Sequence, residues 1–230
     1  MRAQIEPARG SPPTPIVFVV DDDVSVRESL QDLIAWAGWI PETFESAKDF
    51  LARARPLVPS CLLLDVNLPD LSGLDLQKRV ASERVDMPII FITGCGDIPM
   101  TVQAIKAGAV EFLTKPLDDN VLLTAIRQAI ERSREALDNE EELRCLKDRY
   151  ASLSRREREV MTLVVTGLLN KQVAFELGIS EITVKAHRGA VMRKMAAASL
   201  PNLVNMAARL GSATETRDAT PQPKPLRRQA

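Results

Sequence analysis

Histidine is almost missing from this 230-residue chain, with His187 standing alone. Its three cysteines, Cys61, Cys95 and Cys145, form no C-x-x-C pair. Zinc sites draw Cys and His donors from short, repeated spacings, and disulfide frameworks need dense paired cysteines, so the sequence argues against both. Sparse, unpaired cysteines fit a reducing cytoplasm. No apolar run approaches the roughly 20 residues that cross a bilayer. The run nearest the N-terminus, Ile16–Val20, stops at Asp21-Asp22-Asp23 and is no signal-peptide core. Nor does a G-x-G-x-x-G turn follow that run, which counts against dinucleotide binding. The expectation is a soluble cytoplasmic chain with no membrane partner.

What the chain does contain is apolar residues (45%), enough for real cores, and a length that suits two domains. A formal net charge of −1 hides an asymmetry. Residues 1–130 carry 12 Lys and Arg against 18 Asp and Glu, hence −6. Residues 131–150 carry 5 against 7, and residues 151–230 carry 13 against 6, hence −2 and +7. An acidic front joined to a basic back suggests a metal or regulatory module attached to a polyanion binder.

The front half alternates strand and helix. Residues 1–15 are polar and proline-rich, which reads as a disordered arm. Ile16–Val20 is a strand, Val24–Ala37 a helix stopped by Gly38, Ile40–Phe44 a short strand, and a helix runs from Ala47 to about Ala54. Cys61–Asp65 reads as a strand buried on both faces, with Leu74–Ala81 in the next helix. Ile89–Ile92 is another continuous apolar strand, Pro99–Ala107 a helix closed by Gly108, and Val110–Leu113 a short strand before a helix that begins at Asp118. Five such units predict a doubly wound parallel sheet with helices on both faces.

In an open parallel sheet, chemistry gathers outside the carboxyl ends of the strands. Taken alone, Asp65 is an acid that starts a turn. Asp21, Asp22 and Asp23 follow the first strand, Thr93 the fourth and Lys115 the fifth, so matching groups arrive at one edge. Together they are the parts of a magnesium-assisted phosphoryl-transfer site. With Leu68–Gly73 (LPDLSG), Lys106–Ala109 (KAGA) and Lys115-Pro116, this set resembles the receiver domain of bacterial response regulators over about residues 16–130. The loop Ile92-Thr93-Gly94 with Gly96–Met100 resembles the FixJ-type subgroup.

The resemblance implies a role for each residue. Asp65 would be the phosphoacceptor, attacking a phosphohistidine. Asp22, Asp65 and the Asn67 backbone carbonyl would ligate Mg²⁺, with Asp21 acting through water. Lys115 would supply a point charge and Thr93 a hydroxyl to the phosphoryl oxygens. Thr93 and Phe112 would form the switch, whereas from the sequence alone Phe112 reads as plain core and Asp23 as the cap of the first helix. Cys95, two residues past Thr93, reads as an ordinary small residue, since no basic neighbour adjoins it.

Residues 131–150 read as a helical linker extending the last front-domain helix, because their apolar positions do not sustain a heptad. Behind them Ser154-Arg155-Arg156-Glu157 is a capping box. Helices to about Gly167, from Asn170 to Gly178, and from Glu181 to about Met195 form a helix-turn-helix, with a last helix at Pro201–Leu210. Val184, Val191 and Met195 should pack inward. Leu153–Leu210 resembles the LuxR/NarL/FixJ-type DNA-binding domain through LSRREREVMTLVVTGLLNKQVAFELGIS and TVKAHRGAVMRKM. The net charge of +5 over residues 151–210 (9 against 4) fits a DNA partner.

DNA-contact candidates are Lys171, Thr183, Lys185, His187, Arg188, Arg193 and Lys194. Gly189 and Ala190 depart from the family, where larger polar residues are usual. Residues 211–230 read as a disordered tail.

The expectation is therefore a flavodoxin-like α/β receiver of five parallel strands (16–130), a linker (131–150) and a small all-α helix-turn-helix domain (151–210). Such a response regulator takes a phosphoryl group from a sensor histidine kinase, dimerises, and binds double-stranded promoter DNA, with RNA polymerase as a further partner. Its only enzymatic acts would be Mg²⁺-dependent self-phosphorylation at Asp65 and autodephosphorylation. Two alternatives are a phosphatase-like enzyme, which needs an acid where Asn67 stands, and a DNA-binding protein using the receiver only as a dimerisation scaffold.

Overall fold

The computed structural model describes residues 13–54, 57–69, 71–84, 86–94, 102 and 104–218. Two compact units divide the chain, residues 1–139 and 140–230.

The first unit holds a five-stranded, all-parallel sheet in the order β2-β1-β3-β4-β5. Its strands are β1 (Ile16–Val20), β2 (Ile40–Phe44), β3 (Ser60–Asp65), β4 (Ile89–Thr93) and β5 (Glu111–Thr114). Every residue of β1, β3 and β4 is buried, which accounts for their unbroken apolar runs. β2 and β5 lie at the edges and are only half covered. An edge strand also tolerates Pro41, which has no amide to give the ladder.

Successive strand residues point to opposite faces. Phe18, Val20, Leu62, Leu64 and Phe91 pack on one face, with Phe50 from α2 (Ala47–Ala52) and Leu76 and Val80 from α3 (Gly73–Glu83). Val17, Val19, Leu63, Ile90 and Ile92 pack on the other. Leu30 and Ile34 of α1 (Val24–Trp36) and Leu122 and Ile126 of α4 (Asp119–Ala151) cover that face. Asp23 caps α1 through its side chain, accepting from the Ser25 amide at 2.8 Å.

Several expectations shift. α2 ends at Ala52 because Arg53 turns extended, and β5 starts one residue later than the apolar run. Of the expected Pro99–Ala107 helix only residues 102 and 104–107 are described, helical at 102 and 104–106 and followed by Gly108 at φ +95°. Cys95 and residues 1–12 lie outside the described residues. α4 runs for 33 residues, through the whole stretch expected to link the domains.

The second unit contains α5 (Arg155–Val165), α6 (Asn170–Leu177), α7 (Glu181–Met195) and α8 (Leu200–Asp218). Its core joins Leu146 of α4 to Leu153, Val160, Val164, Val173, Val184, Val191, Met195 and Leu203. Gly178, at φ +65°, makes the turn between α6 and α7 that other residues rarely adopt. α8 continues past Leu210 to Asp218, so residues 211–218 are helical and not the start of a disordered tail. No proline interrupts that stretch, and Ala213, Glu215 and Arg217 favour helix. Among the described residues no helix is long and apolar enough to cross a membrane.

Candidate functional site

The strand order decides which loops meet. The chain reverses direction across the sheet between β1 and β3, and ligands of such sheets settle at that switch point. Val20 lies beside Leu64 in register, so Asp21 and Asp65 emerge side by side at the carboxyl edge. Among the described residues, Asp21, Asp22 and Asp65 bring their carboxylate oxygens within 4.8 Å of one another, Asp22 exposed and the other two buried. Buried acids this close need a compensating charge. Lys115 provides it: its Nζ donates to Asp21 Oδ2 and Asp65 Oδ2, both at 2.7 Å. Lys115 follows a β5 that pairs with β4, and its amide donates to the Thr93 carbonyl at 2.8 Å. The Lys115-Pro116 bond is cis.

The remaining carboxylate oxygens face amides. Asp21 Oδ1 accepts from the Asp23 amide at 3.0 Å, and Asp65 Oδ1 accepts from the Asn67 amide at 2.8 Å. Burial pushes the Asp21 carboxyl above its usual range, and the Asp65 charge adds to this, against the Lys115 and Asp23 hydrogen bonds. Desolvation pulls the Lys115 ammonium down, but its two carboxylate partners outweigh that and hold it above the ordinary lysine value. The pocket is thus an ammonium clamped by two carboxylates, with a third carboxylate open to solvent. A hard divalent cation takes such an oxygen set, so the residues present fit one.

Thr93 is fully buried at the end of β4. Phe112 is half-buried on β5, its ring 6.2 Å from that of Phe91 and tilted by 37°. Two residues support the site without a role assigned to them from the motifs. Arg27, on the first turns of α1, donates through one guanidinium nitrogen to the Asp21 carbonyl at 2.7 Å and the Asp22 carbonyl at 2.9 Å. It ties down the acidic loop, and nothing in local sequence marks it. Gly73 opens α3 directly beneath Asp65, where a Cβ would stand 2.6 Å from the Asp65 carbonyl oxygen. Its place at the end of LPDLSG was the available signal. The Cys61 thiol is buried in β3, and burial pushes it far above its ordinary value, leaving it inert.

In the second unit Val184, Val191 and Met195 are buried, as the periodicity predicts. Ser180 caps α7, accepting from the Thr183 amide at 3.1 Å. Lys171, Lys185 and Arg193 are exposed, while Thr183 and His187 are half-buried. Arg188 turns back, donating to Asn170 Oδ1 at 3.0 Å, and so braces α7 against the start of α6.

Lys194 is exposed, and its ammonium is also engaged within the unit. Its Nζ donates to Glu157 Oε2 at 2.7 Å and the Ser152 carbonyl at 3.2 Å. Glu157 is the acid of the capping box, accepting the Ser154 amide at 2.6 Å while its own amide donates to Ser154 Oγ. Lys194 thereby locks α7 to the head of α5. The Lys194 hydrogen bond, followed by the Ser154 amide, holds the Glu157 carboxyl below its ordinary range. A depressed folded value stabilises the unit above the unfolded glutamate value of about 4.3, and that stabilisation is lost as pH falls through the folded value. Lys194→Ala is expected to cost residues 140–230 about 0.5–1 kcal/mol in urea unfolding at neutral pH, because the pair is partly exposed, and to flatten the acid limb of the stability curve. An acid limb as steep as in the unsubstituted unit would remove this role.

A 2-1-3-4-5 parallel sheet with an acidic pocket at its carboxyl edge, in a chain that ends in a helix-turn-helix unit, defines a two-domain signalling regulator. Comparison with known proteins agrees on both halves. Residues 17–127 match the response regulator receiver domain, and residues 151–207 match the bacterial regulatory proteins of the luxR family. Nodulation protein W of Bradyrhizobium diazoefficiens is 53% identical over 196 residues, 85% of this chain and 86% of that one. Transcriptional regulatory protein FixJ of Azorhizobium caulinodans is 44% identical over 205 residues, 89% and 97%. Among solved structures, response regulator StyR superposes with a TM-score of 0.76 at 47% identity, covering 86% of this chain and all of the other. The chain belongs to the response regulators that join a receiver to a luxR-type DNA-binding domain, close to the FixJ and nodulation protein W transcriptional regulators.

Proposed function

We propose that this regulator is switched by phosphorylation of Asp65, and that the phosphorylated chain dimerises on promoter DNA. One observation carries the reading: Lys115 Nζ is held 2.7 Å from both Asp21 and Asp65 at the sheet edge. A carboxylate oxygen keeps a free lone pair after accepting one hydrogen bond, so Asp65 remains a nucleophile. Its P–O bond forms as the P–N bond of a sensor kinase's phosphohistidine breaks. Lys115 stays beside the new phosphoryl oxygens, with the Thr93 hydroxyl as a second partner. Asp21, Asp22, Asp65 and the Asn67 carbonyl would hold Mg²⁺, which offsets charge on the transferring oxygens. The Asn67 amide is too weak an acid to protonate a leaving group, so turnover of phosphate esters is not expected, only self-phosphorylation and slow autodephosphorylation.

Thr93 and Lys115 border β5 and the chain before it, which carries Phe112. Rearranging them around a phosphoryl group would remake that surface as a self-complementary face. In the second unit Lys171, Lys185 and Arg193 would meet DNA with Thr183 and His187, while Arg188 and Lys194 would act from behind through Asn170 and Glu157. RNA polymerase would be met by the DNA-bound dimer. Sedimentation of the full chain with and without a small phosphodonor tests the switch. A monomer that becomes a dimer is expected, with affinity for enriched duplex DNA rising by a coupling of about 1–3 kcal/mol and falling steeply with salt. An equal dimer fraction in both states would refute phosphate-linked dimerisation.

A further inference from the structure

The outward line of α7 is small or apolar at three of its four positions, Ile182, Ala186 and Gly189, and ends on Arg193. Residues 182, 186, 189 and 193 follow one another at steps of four, three and four, so they run down one side of the helix, opposite Val184, Val191 and Met195. Ile182 is 79% exposed, Ala186 and Arg193 are exposed, and Gly189 is partly exposed. Among the described residues of the unit nothing covers the branched side chain of Ile182, although its helix carries the domain's core on the other side.

Gly189 is a separate puzzle on the same line. Glycine weakens a helix interior relative to alanine. Yet an added Cβ there meets only an Arg193 guanidinium nitrogen, at 3.8 Å, an ordinary contact. The packing of the domain does not ask for glycine, and its missing side chain leaves the helix backbone open to a close approach from outside.

We propose that this line reads DNA by apolar contact and close approach. Ile182 packs on the C5-methyl of a thymine in the major groove, and Gly189 with Ala186 lets the helix backbone settle against the base edges. Thymine is the base that presents a methyl group there. Lys185, next to the line, adds the hydrogen bonds. Its ammonium now pairs with the exposed Glu181, Nζ standing 3.4 Å from Oε1, a surface pair that yields readily. The inference rests on DNA binding by the luxR-type unit and assigns that unit its base preference.

The test uses the full chain, phosphorylated with acetyl phosphate and Mg²⁺, to enrich duplexes from a random pool. Thymines of the enriched site are then replaced singly by deoxyuridine, which removes only the methyl. In the unsubstituted protein one position per half-site should lose about fourfold in affinity, the worth of one buried methyl. Ile182→Ala should bind the two duplexes alike, and Ile182→Val should keep part of the difference. Gly189→Ala should raise the melting temperature yet bind the enriched duplex about tenfold more weakly, with little change on random duplex. A deoxyuridine effect of equal size in the unsubstituted protein and in Ile182→Ala overturns the thymine contact, and so does the lack of any effect in both. Undiminished binding by Gly189→Ala overturns the close approach. A pool that shows no enrichment overturns the sequence-specific DNA reading underneath both.

Discussion

Asp65→Asn should take up no phosphoryl group from acetyl phosphate in the presence of Mg²⁺, where the unsubstituted chain is labelled to near one equivalent. The substitution keeps the size of the side chain and replaces the attacking carboxylate oxygen with an amide that is no nucleophile. Chelating the metal should abolish labelling of the unsubstituted chain as well, since two buried acids and an incoming phosphoryl group place several negative charges in one pocket. Lys115 offsets only part of that charge. Asp65→Asn also removes one of the two negative charges facing Lys115, so the amide oxygen can still accept from the ammonium but only Asp21 offsets its charge. The fold should survive, because the buried strand residues beneath Asp65 are untouched. Label retained by Asp65→Asn, on acid-labile linkage at another residue, would displace the assignment. Rapid turnover of many equivalents would favour a phosphatase over a regulator.

Gly73→Ala is the substitution expected to damage the fold most per atom added. Its Cβ would sit 2.6 Å from the Asp65 carbonyl oxygen, 3.0 Å from Val66 Cα and 3.2 Å from a ring carbon of Phe91. Two of these are backbone atoms, which cannot swing aside as the end of a flexible side chain can. The Gly73 amide also donates to the Val66 carbonyl at 3.0 Å, so α3 is tethered where the clash arises. Overpacking a filled site costs about 1–3 kcal/mol, and a clash against backbone belongs at the upper end. Because the displaced segment carries Asp65 and Asn67, phosphorylation should slow along with the loss of stability. Urea unfolding of residues 1–139, followed by Trp fluorescence, measures the first, and the rate of labelling by acetyl phosphate measures the second. Gly94→Ala, in the same unit at a position where a Cβ meets nothing within 4 Å, is the control for stability. Stability of Gly73→Ala equal to that of the unsubstituted unit would show that the loop can yield.

What lies close together along the chain is legible in the sequence. The buried strands are unbroken apolar runs because water is excluded from both their faces, and each run stops at a residue expected at the site, Asp21, Asp65 or Thr93. The capping box Ser154–Glu157, the glycine turn at Gly178 and the inward stripe of α7 depend on neighbours at most a few residues apart, and they stand where their spacing puts them. Only the folded chain decides which distant groups meet. Lys115 reaches Asp65 across 50 positions and Asp21 across 94, a meeting set by the order of strands in the sheet. Lys194 belongs by periodicity to an exposed helix end, but packing of α7 on α5 turns it to Glu157, 37 positions earlier. Gly73 and Arg27 act over shorter spans, on the backbone of Asp65 and Val66 and of Asp21 and Asp22, where the path of the loop between strand and helix brings them back onto it. Periodicity records which side of an element is dry. It carries no record of which element lies on that side, and that choice is made by the sheet order and the helix packing.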